Sequence, residues 1–272
     1  ATDPDADRVG VEVLQKDGSY LNLSGNQIGA IMAKYILEAH KNAGTLPENA
    51  ALCKSIVSTD LVTKIAESYG ATMFNVLTGF KFIAEKIQEF EEKHNHTYMM
   101  GFEESFGYLI KPFVRDKDAI QAVLVVAELA AYYRSRGLTL ADGIEEIYKE
   151  YGYYAEKTIS VTLSGVDGAE QIKAIMAKFR NNAPKEWNAT AITVVEDFKA
   201  RTSTAADGTV TALTTPPSDV LKYTLADGSW IAVRPSGTEP KIKFYIAVVG
   251  ESNEDSQAKI ANIEAEINAF VK

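Results

Sequence analysis

Apolar positions along the chain repeat with two periods, and the change of period divides the chain into two regions. In the first, Ser24 and Gln27 have capping-box spacing, and the apolar residues that follow recur at helical spacing. Strand-like runs at 52–57, 71–77 and 98–102 then alternate with helical stretches that extend to about residue 133. Such alternation predicts an α/β layered domain in which a mixed sheet is covered by helices.

The second region is dominated by strand-like runs. They fall at 158–163, 191–198, 220–224, 229–233 and 242–249, with helical stretches at 169–179 and 255–271. Several strands with a helix near each end predict a smaller α+β domain with an antiparallel sheet. We place the domain boundary after residue 152, within a tyrosine-rich stretch.

Composition and charge exclude some classes of function. The chain has 272 residues, 46% of them hydrophobic and 24% charged, as in ordinary globular proteins. Its net charge of −9 argues against general nucleic-acid binding, which requires a basic face. Cys53 is the one cysteine, and no apolar run approaches the ~20 residues of a membrane span. We therefore expect a cytoplasmic protein with no membrane and no nucleic-acid partner.

Residues 234–240, Arg-Pro-Ser-Gly-Thr-Glu-Pro, separate two β-rich runs. A strand, a turn and a second strand would present Arg234, two hydroxyls and consecutive backbone amides at one apex. The planar guanidinium of arginine presents several hydrogen-bond donors suited to a phosphate, and Gly237, which has no Cβ, lets the backbone approach a ligand closely. The loop therefore predicts phosphate binding, although the same residues also suit an ordinary hairpin turn.

The N-terminal segment carries carboxylates at alternate positions, Asp3, Asp5 and Asp7, followed by Arg8. Three carboxylates on a curled loop can hold one hard divalent cation. An EF-hand is excluded because its sixth position requires Gly and its twelfth Glu, where this chain has Arg8 and Leu14. The alternative is a solvated acidic terminus.

A third segment, Gly101-Phe-Glu-Glu-Ser-Phe-Gly107, places two glutamates and a serine between glycines. These groups suit sugar hydroxyls, which both donate and accept hydrogen bonds. By itself the segment is equally compatible with an acid/base pair or a plain loop.

In this order, the three segments resemble the metal, sugar and phosphate loops of the α-D-phosphohexomutase family, specifically its phosphoglucomutase/phosphomannomutase group. The resemblance implies a Mg²⁺ site formed by Asp3, Asp5 and Asp7. It also implies substrate-binding residues drawn from four segments: Arg8, Thr78, Gly79, Lys81, Glu103, Ser105, Arg234, Ser236, Gly237 and Thr238. Residues 1–25 would then be the tail of the family's domain 2, residues 26–152 the sugar-binding domain 3, and residues 153–272 the phosphate-binding domain 4.

The resemblance implies an isomerase that interconverts glucose 1-phosphate and glucose 6-phosphate through glucose 1,6-bisphosphate. The Glu-Glu-Ser form of the sugar loop favours glucose. Phosphomannomutase, phosphopentomutase and glucose-1,6-bisphosphate synthase remain alternatives, as does a non-catalytic sugar-phosphate-binding module. A metal-dependent phosphatase using the three aspartates is a further rival. The family's phosphoserine lies in a Ser-His-Asn-Pro-like segment that these 272 residues lack. We therefore expect a C-terminal fragment without mutase activity of its own.

Overall fold

The computed structural model describes residues 1–163, 167–237 and 239–271. The chain separates into two compact units, Ala1–Tyr151 and Gly152–Lys272. Within the described residues, no helix combines the length and the apolar character needed to cross a bilayer.

The first unit is a four-stranded mixed sheet with helices and an additional hairpin. Its elements in chain order are β1 (Val11–Leu14), β2 (Tyr20–Leu23), α1 (Gly25–Asn42), β3 (Ala50–Ser55), α2 (Leu61–Ser68), β4 (Thr72–Val76), α3 (Phe80–Lys93), β5 (Thr97–Glu103), β6 (Gly107–Leu109), α4 (Ala119–Ser135) and α5 (Leu140–Tyr151). The sheet order is β4-β3-β5-β6, in which β3 is parallel to β4 and β5 while β6 is antiparallel to β5. Strands β1 and β2 form a separate antiparallel hairpin.

Strand β3 lies at the centre of this sheet, and all six of its residues are buried. Its sequence is therefore mostly apolar rather than alternating, as expected for a parallel strand covered on both faces. Lys54 is the one charged residue of this strand. Its ammonium lies 2.8 Å from a carboxylate oxygen of Asp60 and donates to the carbonyl of Ser58, because a buried charge needs partners.

Helix starts in this unit follow local capping rules with one correction. Ser24 and Gln27 form the expected capping box on α1, and Asp118 accepts hydrogen bonds from two amides in the first turn of α4. The sequence also predicts Asp60 as the N-cap of α2. Asp60 does occupy that position, but its side chain makes no cap hydrogen bond and is instead paired with Lys54.

The second unit is an antiparallel sheet with two helices. Its elements are β7 (Tyr153–Thr162), α6 (Gly168–Asn182), β8 (Glu186–Trp187), β9 (Thr190–Asp197), β10 (Thr202–Ala205), β11 (Val210–Ala212), β12 (Leu221–Leu225), β13 (Trp230–Pro235), β14 (Lys241–Gly250) and α7 (Asn253–Val271). The strands run in the order β11-β10-β9-β12-β13-β14-β7, and β8 pairs with β9.

The core of this unit lies between one face of the sheet and the two helices. Alternate residues of the strands, including Val233, Ile242 and Phe244, pack with Phe179 of α6 and Ile263 of α7. Because side chains alternate along a strand, the residues between them point to the opposite face. The two units together confirm the predicted fold class.

Candidate functional site

The parallel strands of the first unit bring three polar segments to one edge of the sheet. Strands β3, β4 and β5 end at Ser55, Val76 and Glu103, so the loops that follow them share the carboxyl edge. Strand β3 also connects through α2 to β4 on one side, while β5 lies on its other side. Such a reversal in strand order is where open α/β sheets commonly bind ligands.

The N-terminal loop curls back on itself, with the amide of Asp3 donating to the carbonyl of Arg8. Asp3, Asp5 and Asp7 each offer a carboxylate oxygen, and these oxygens all lie within 4.8 Å of one another. One oxygen of Asp3 accepts from the backbone amides of Asp7 and Arg8, and the other accepts from Nε of Arg8 at 2.6 Å. Burial opposes ionisation of Asp3, but the hydrogen bonds from Arg8 outweigh it and lower its pKa to about 2.

This loop fits a hard divalent cation. Carboxylate oxygens are the ligands that Mg²⁺ prefers, and three converge here. In addition, Oδ1 of Asp7 is buried and makes no hydrogen bond within the described residues, with Nε of Arg8 3.4 Å away, whereas Oδ2 lies 2.8 Å from the ammonium of Lys117. A buried carboxylate oxygen that makes no hydrogen bond favours a nearby cation.

The N-terminal segment 3–9, which contains the metal loop, contacts the sugar loop, residues 101–107, directly. Arg8 forms an antiparallel bridge with Gly107, and the amide of Val9 donates to the carbonyl of Phe106 at 3.1 Å. The structure therefore joins two segments that are about 100 residues apart in the sequence. Arg8 and Ser105 both have exposed side chains at this junction.

Glu103 is held against the start of α3. The residue is 8% exposed, and its Oε1 accepts from the amide of Gly79 at 2.6 Å. Gly79 has a φ of 117°, a conformation that side-chain-bearing residues rarely adopt. A carboxylate is also favoured at a helix N-terminus. The structure thus brings together Glu103 and the Thr78-Gly79 segment, whereas the ammonium of Lys81 lies over the ring of Phe82.

The second glutamate of the sugar loop points elsewhere. The carboxylate of Glu104 accepts from the hydroxyls of Ser55, the last residue of β3, and Ser58 in the loop that follows. Sequence reasoning missed both serines. The available signal is the polar run Lys54-Ser-Ile-Val-Ser-Thr-Asp60, which interrupts an apolar strand at the edge where the other loops gather.

The phosphate loop of the second unit forms the β13–β14 connection. Arg234 lies in β13 directly opposite Lys243 of β14, and both side chains are half-buried. Ser236 donates its amide to the carbonyl of Lys241, while Gly237 is exposed. Thr238 lies outside the described residues.

Lys243 was not singled out from the sequence. Like charges directly opposite each other on paired strands repel. Within the described residues, neither Arg234 nor Lys243 has a carboxylate partner to offset that repulsion. Two adjacent cations without acidic partners form a site suited to an anion. The alternating Lys-Ile-Lys at 241–243 is the sequence signal that two cations face the same side of β14.

Comparisons with known proteins identify the family of the chain. The family description "Phosphoglucomutase/phosphomannomutase, alpha/beta/alpha domain III" matches residues 24–151, and the C-terminal domain of the same family matches residues 166–269. The phosphoglucomutase of Staphylococcus aureus (strain USA300) is 38% identical over 261 residues, covering 96% of this chain and 46% of the relative. The phosphoglucomutase of Staphylococcus haemolyticus (strain JCSC1435) is 37% identical over 263 residues, covering 96% of this chain and 47% of the relative.

Solved structures share the fold. Parafusin, a phosphoglucomutase from Paramecium in an open form, superposes with a TM-score of 0.66 at 19% identity, covering 99% of this chain and 44% of that chain. N-acetylphosphoglucosamine mutase from Aspergillus fumigatus, in complex with GlcNAc-6P and magnesium, gives a TM-score of 0.53 at 13% identity, covering 100% and 48%. The chain spans about half the length of the curated relatives it matches. With two consecutive domains of one family matched along its length, the chain belongs to the phosphoglucomutase/phosphomannomutase family.

Proposed function

We propose that this chain supplies the metal-, sugar- and phosphate-binding loops of a phosphoglucomutase that interconverts glucose 1-phosphate and glucose 6-phosphate. The observation that carries the proposal is the direct hydrogen bonding between the metal loop and the sugar loop, through Arg8–Gly107 and Val9–Phe106. A cation that serves phosphoryl transfer and the hydroxyl that accepts the phosphoryl group must lie side by side. The names of the Staphylococcus relatives support the choice of glucose phosphates.

The sugar loop is proposed to bind the hexose ring. Glu103 is pre-oriented by the amide of Gly79, so its carboxylate can accept from sugar hydroxyls without first losing rotamer freedom. Exposed Ser105 can both donate to and accept from a neighbouring hydroxyl. Thr78 and Lys81 flank the same helix start and are proposed to complete this side of the site.

Mg²⁺ is the proposed metal, held by Asp3, Asp5 and Asp7. When bound, it would neutralise charge on the phosphoryl group during transfer. Arg8 lies next to these carboxylates and carries a fixed positive charge, which suits it to a phosphate oxygen at the same place.

The second unit is proposed to bind the phosphate that is not transferred. The proposed phosphate ligands are Arg234, Ser236, Gly237 and Thr238. Lys243 adds a second cation opposite Arg234. A protein with a net charge of −9 repels anions at long range, so a local cluster of cations is needed to bind the anionic substrate.

The transferred phosphoryl group is proposed to come from a phosphoserine that these 272 residues do not contain. It would pass to the free hydroxyl of the hexose phosphate and give glucose 1,6-bisphosphate. Transfer of the other phosphoryl group from the bisphosphate back to the serine would then complete the exchange. We therefore expect the 272-residue chain alone to bind ligands but not to convert glucose 1-phosphate, as measured by a coupled glucose 6-phosphate assay. Turnover by the pure chain would contradict this expectation.

Calorimetric titration of the chain with glucose 1,6-bisphosphate in Mg²⁺ tests the binding roles. Arg234→Ala is expected to weaken binding at least tenfold, because a charge-assisted phosphate contact is lost. Lys173→Ala removes an exposed cation of α6 in the same unit and serves as the matched control. Glu103→Gln should weaken glucose 1,6-bisphosphate binding but leave inorganic phosphate binding unchanged. Equal affinities for Arg234→Ala, Lys173→Ala and the unmodified chain would refute the phosphate assignment.

A further inference from the structure

The Glu-Glu doublet of the sugar loop divides into two roles. Glu103 is oriented by Gly79 at the start of α3, as described above, whereas Glu104 reaches in the other direction toward the β3–α2 loop. One oxygen of Glu104 lies 2.9 Å from Oγ of Ser55 and 3.2 Å from Oγ of Ser58. The backbone amide of Glu104 also donates to Oγ of Ser58 at 3.0 Å.

Ser58 therefore makes two hydrogen bonds with Glu104. It accepts from the backbone of Glu104 and contacts the Glu104 carboxylate, while its hydroxyl lies 2.9 Å from that of Ser55. Ser55 and Ser58 are both fully buried, and Glu104 is half-buried. Polar groups held together away from water make a more rigid attachment than the same hydrogen bonds on an exposed loop.

The end of β3 and the β3–α2 loop, which carry these serines, are themselves held by buried polar contacts. Lys54, with no exposed surface, donates to the carbonyl of Ser58 at 3.1 Å and pairs with Asp60 at 2.8 Å. From the α1 side, Oδ1 of Asn26 accepts from the amide of Thr59 at 3.1 Å. The serines thus belong to the rigid frame of the sheet, and the sugar loop is attached to them.

We propose that Glu104 is a positioning residue, anchored by Ser55 and Ser58, that sets where Glu103 and Ser105 meet the hexose. The residue at position 104 then determines sugar preference through loop position, without contacting the sugar. The inference rests on the proposed sugar-binding role of Glu103 and Ser105. It deepens that role by assigning specificity to residues of the β3–α2 loop.

Variants of the 272-residue chain test the anchor through binding of glucose 1-phosphate and mannose 1-phosphate. Glu104→Met keeps the length of the side chain but cannot accept from the serines, so glucose 1-phosphate affinity should fall about tenfold and the preference for glucose over mannose should shrink. Glu104→Gln retains an acceptor oxygen and should bind within threefold of the unmodified chain. The variant Ser58→Ala should reproduce part of the loss.

The double variant Ser58→Ala/Glu104→Met distinguishes anchoring from direct contact. If Glu104 acts through Ser58, the double variant should bind no more weakly than Glu104→Met alone. Fully additive losses would overturn the proposal. So would a loss in Glu104→Met with none in Ser58→Ala or Ser55→Ala, because Glu104 would then act on the sugar itself.

Hydrogen exchange without ligand gives a second, independent readout. Amides of residues 103–107 should exchange at least tenfold faster in Ser58→Ala and in Glu104→Met than in the unmodified chain, with Glu104→Gln close to the unmodified rate. Unchanged exchange in both variants would overturn the anchor whatever the binding results. Fast exchange combined with no hexose-phosphate binding by any variant would retain the anchor and refute the proposed sugar site.

Discussion

Gly25, the first residue of α1, leaves room for the sugar loop, and Gly25→Ala is expected to displace that loop. A Cβ built on Gly25 would lie 2.0 Å from the carbonyl oxygen of Glu104, 2.8 Å from its carbonyl carbon and 3.0 Å from the amide of Phe106. All three atoms belong to backbone. The loop must therefore move by about 1 Å to restore ordinary contact distances, because no side chain can rotate away.

The size of the effect follows from two opposing contributions. Overpacking against fixed backbone costs about 1–3 kcal/mol. Replacing Gly by Ala in a helix gains up to about 1 kcal/mol, and less at the first position. We expect a net loss of about 2 kcal/mol in the free energy of unfolding. For a unit the size of Ala1–Tyr151, that corresponds to a fall of about 4–8 °C in the melting temperature.

Gly10→Ala is the matched control for this experiment. Gly10 belongs to the same unit, its φ lies outside the left-handed region, and an added Cβ meets no described atom within 4 Å. Its unfolding free energy should change by no more than about 0.5 kcal/mol. Urea unfolding measures stability, and glucose 1-phosphate binding measures the loop position, where a shift of about 1 Å is expected to weaken binding severely. Equal stability and binding in the two variants would refute the steric argument.

Three further outcomes are expected. Phe106 has a φ of 69°, so Phe106→Gly should relieve strain and raise the unfolding free energy in urea by about 0.5 kcal/mol, whereas Phe106→Ala should lower it. Asp60→Ala leaves the buried ammonium of Lys54 without its carboxylate and should cost about 3 kcal/mol, a loss that the double variant with Lys54→Met should reduce. A hydrogen bond from Lys86 lowers the pKa of Glu89 from 4.5 to about 2, so the stabilisation it gives is complete above pH 4.5 and is lost as the pH falls through 2. The stability difference between the unmodified chain and Glu89→Gln should disappear over that range in urea titrations.

Features set by neighbouring residues could be predicted from the sequence. The capping box at Ser24 involves residues three positions apart, and the structure contains both of its hydrogen bonds. The same holds for Asp118, whose side chain accepts from amides two and three residues ahead. Short polar strands such as β10 and β11 were not predicted, because they lack the apolar alternation that identifies a half-buried strand.

Contacts outside the local capping and periodicity patterns were beyond sequence reasoning, even where each residue was conspicuous. Asp60 has the position and chemistry of an N-cap, but a buried ammonium six residues earlier competes for its carboxylate and is the stronger partner. Ser58 and Glu104 are 46 residues apart, and only the parallel pairing of β3 with β5 brings them together. No local pattern specifies that pairing, so the anchor of the sugar loop became visible only in the structure.

Strand geometry explains why two adjacent glutamates cannot share one task. Successive side chains of an extended chain point in opposite directions, and Glu103 is the last residue of β5. With Glu103 turned to the start of α3, the side chain of Glu104 must leave on the other side, where Ser55 and Ser58 receive it. A doublet that looks like a paired acid and base is therefore one proposed sugar ligand and one anchor. Substitutions at the second position would then alter sugar preference by moving the first glutamate, and Ser55 and Ser58 should vary in step with it.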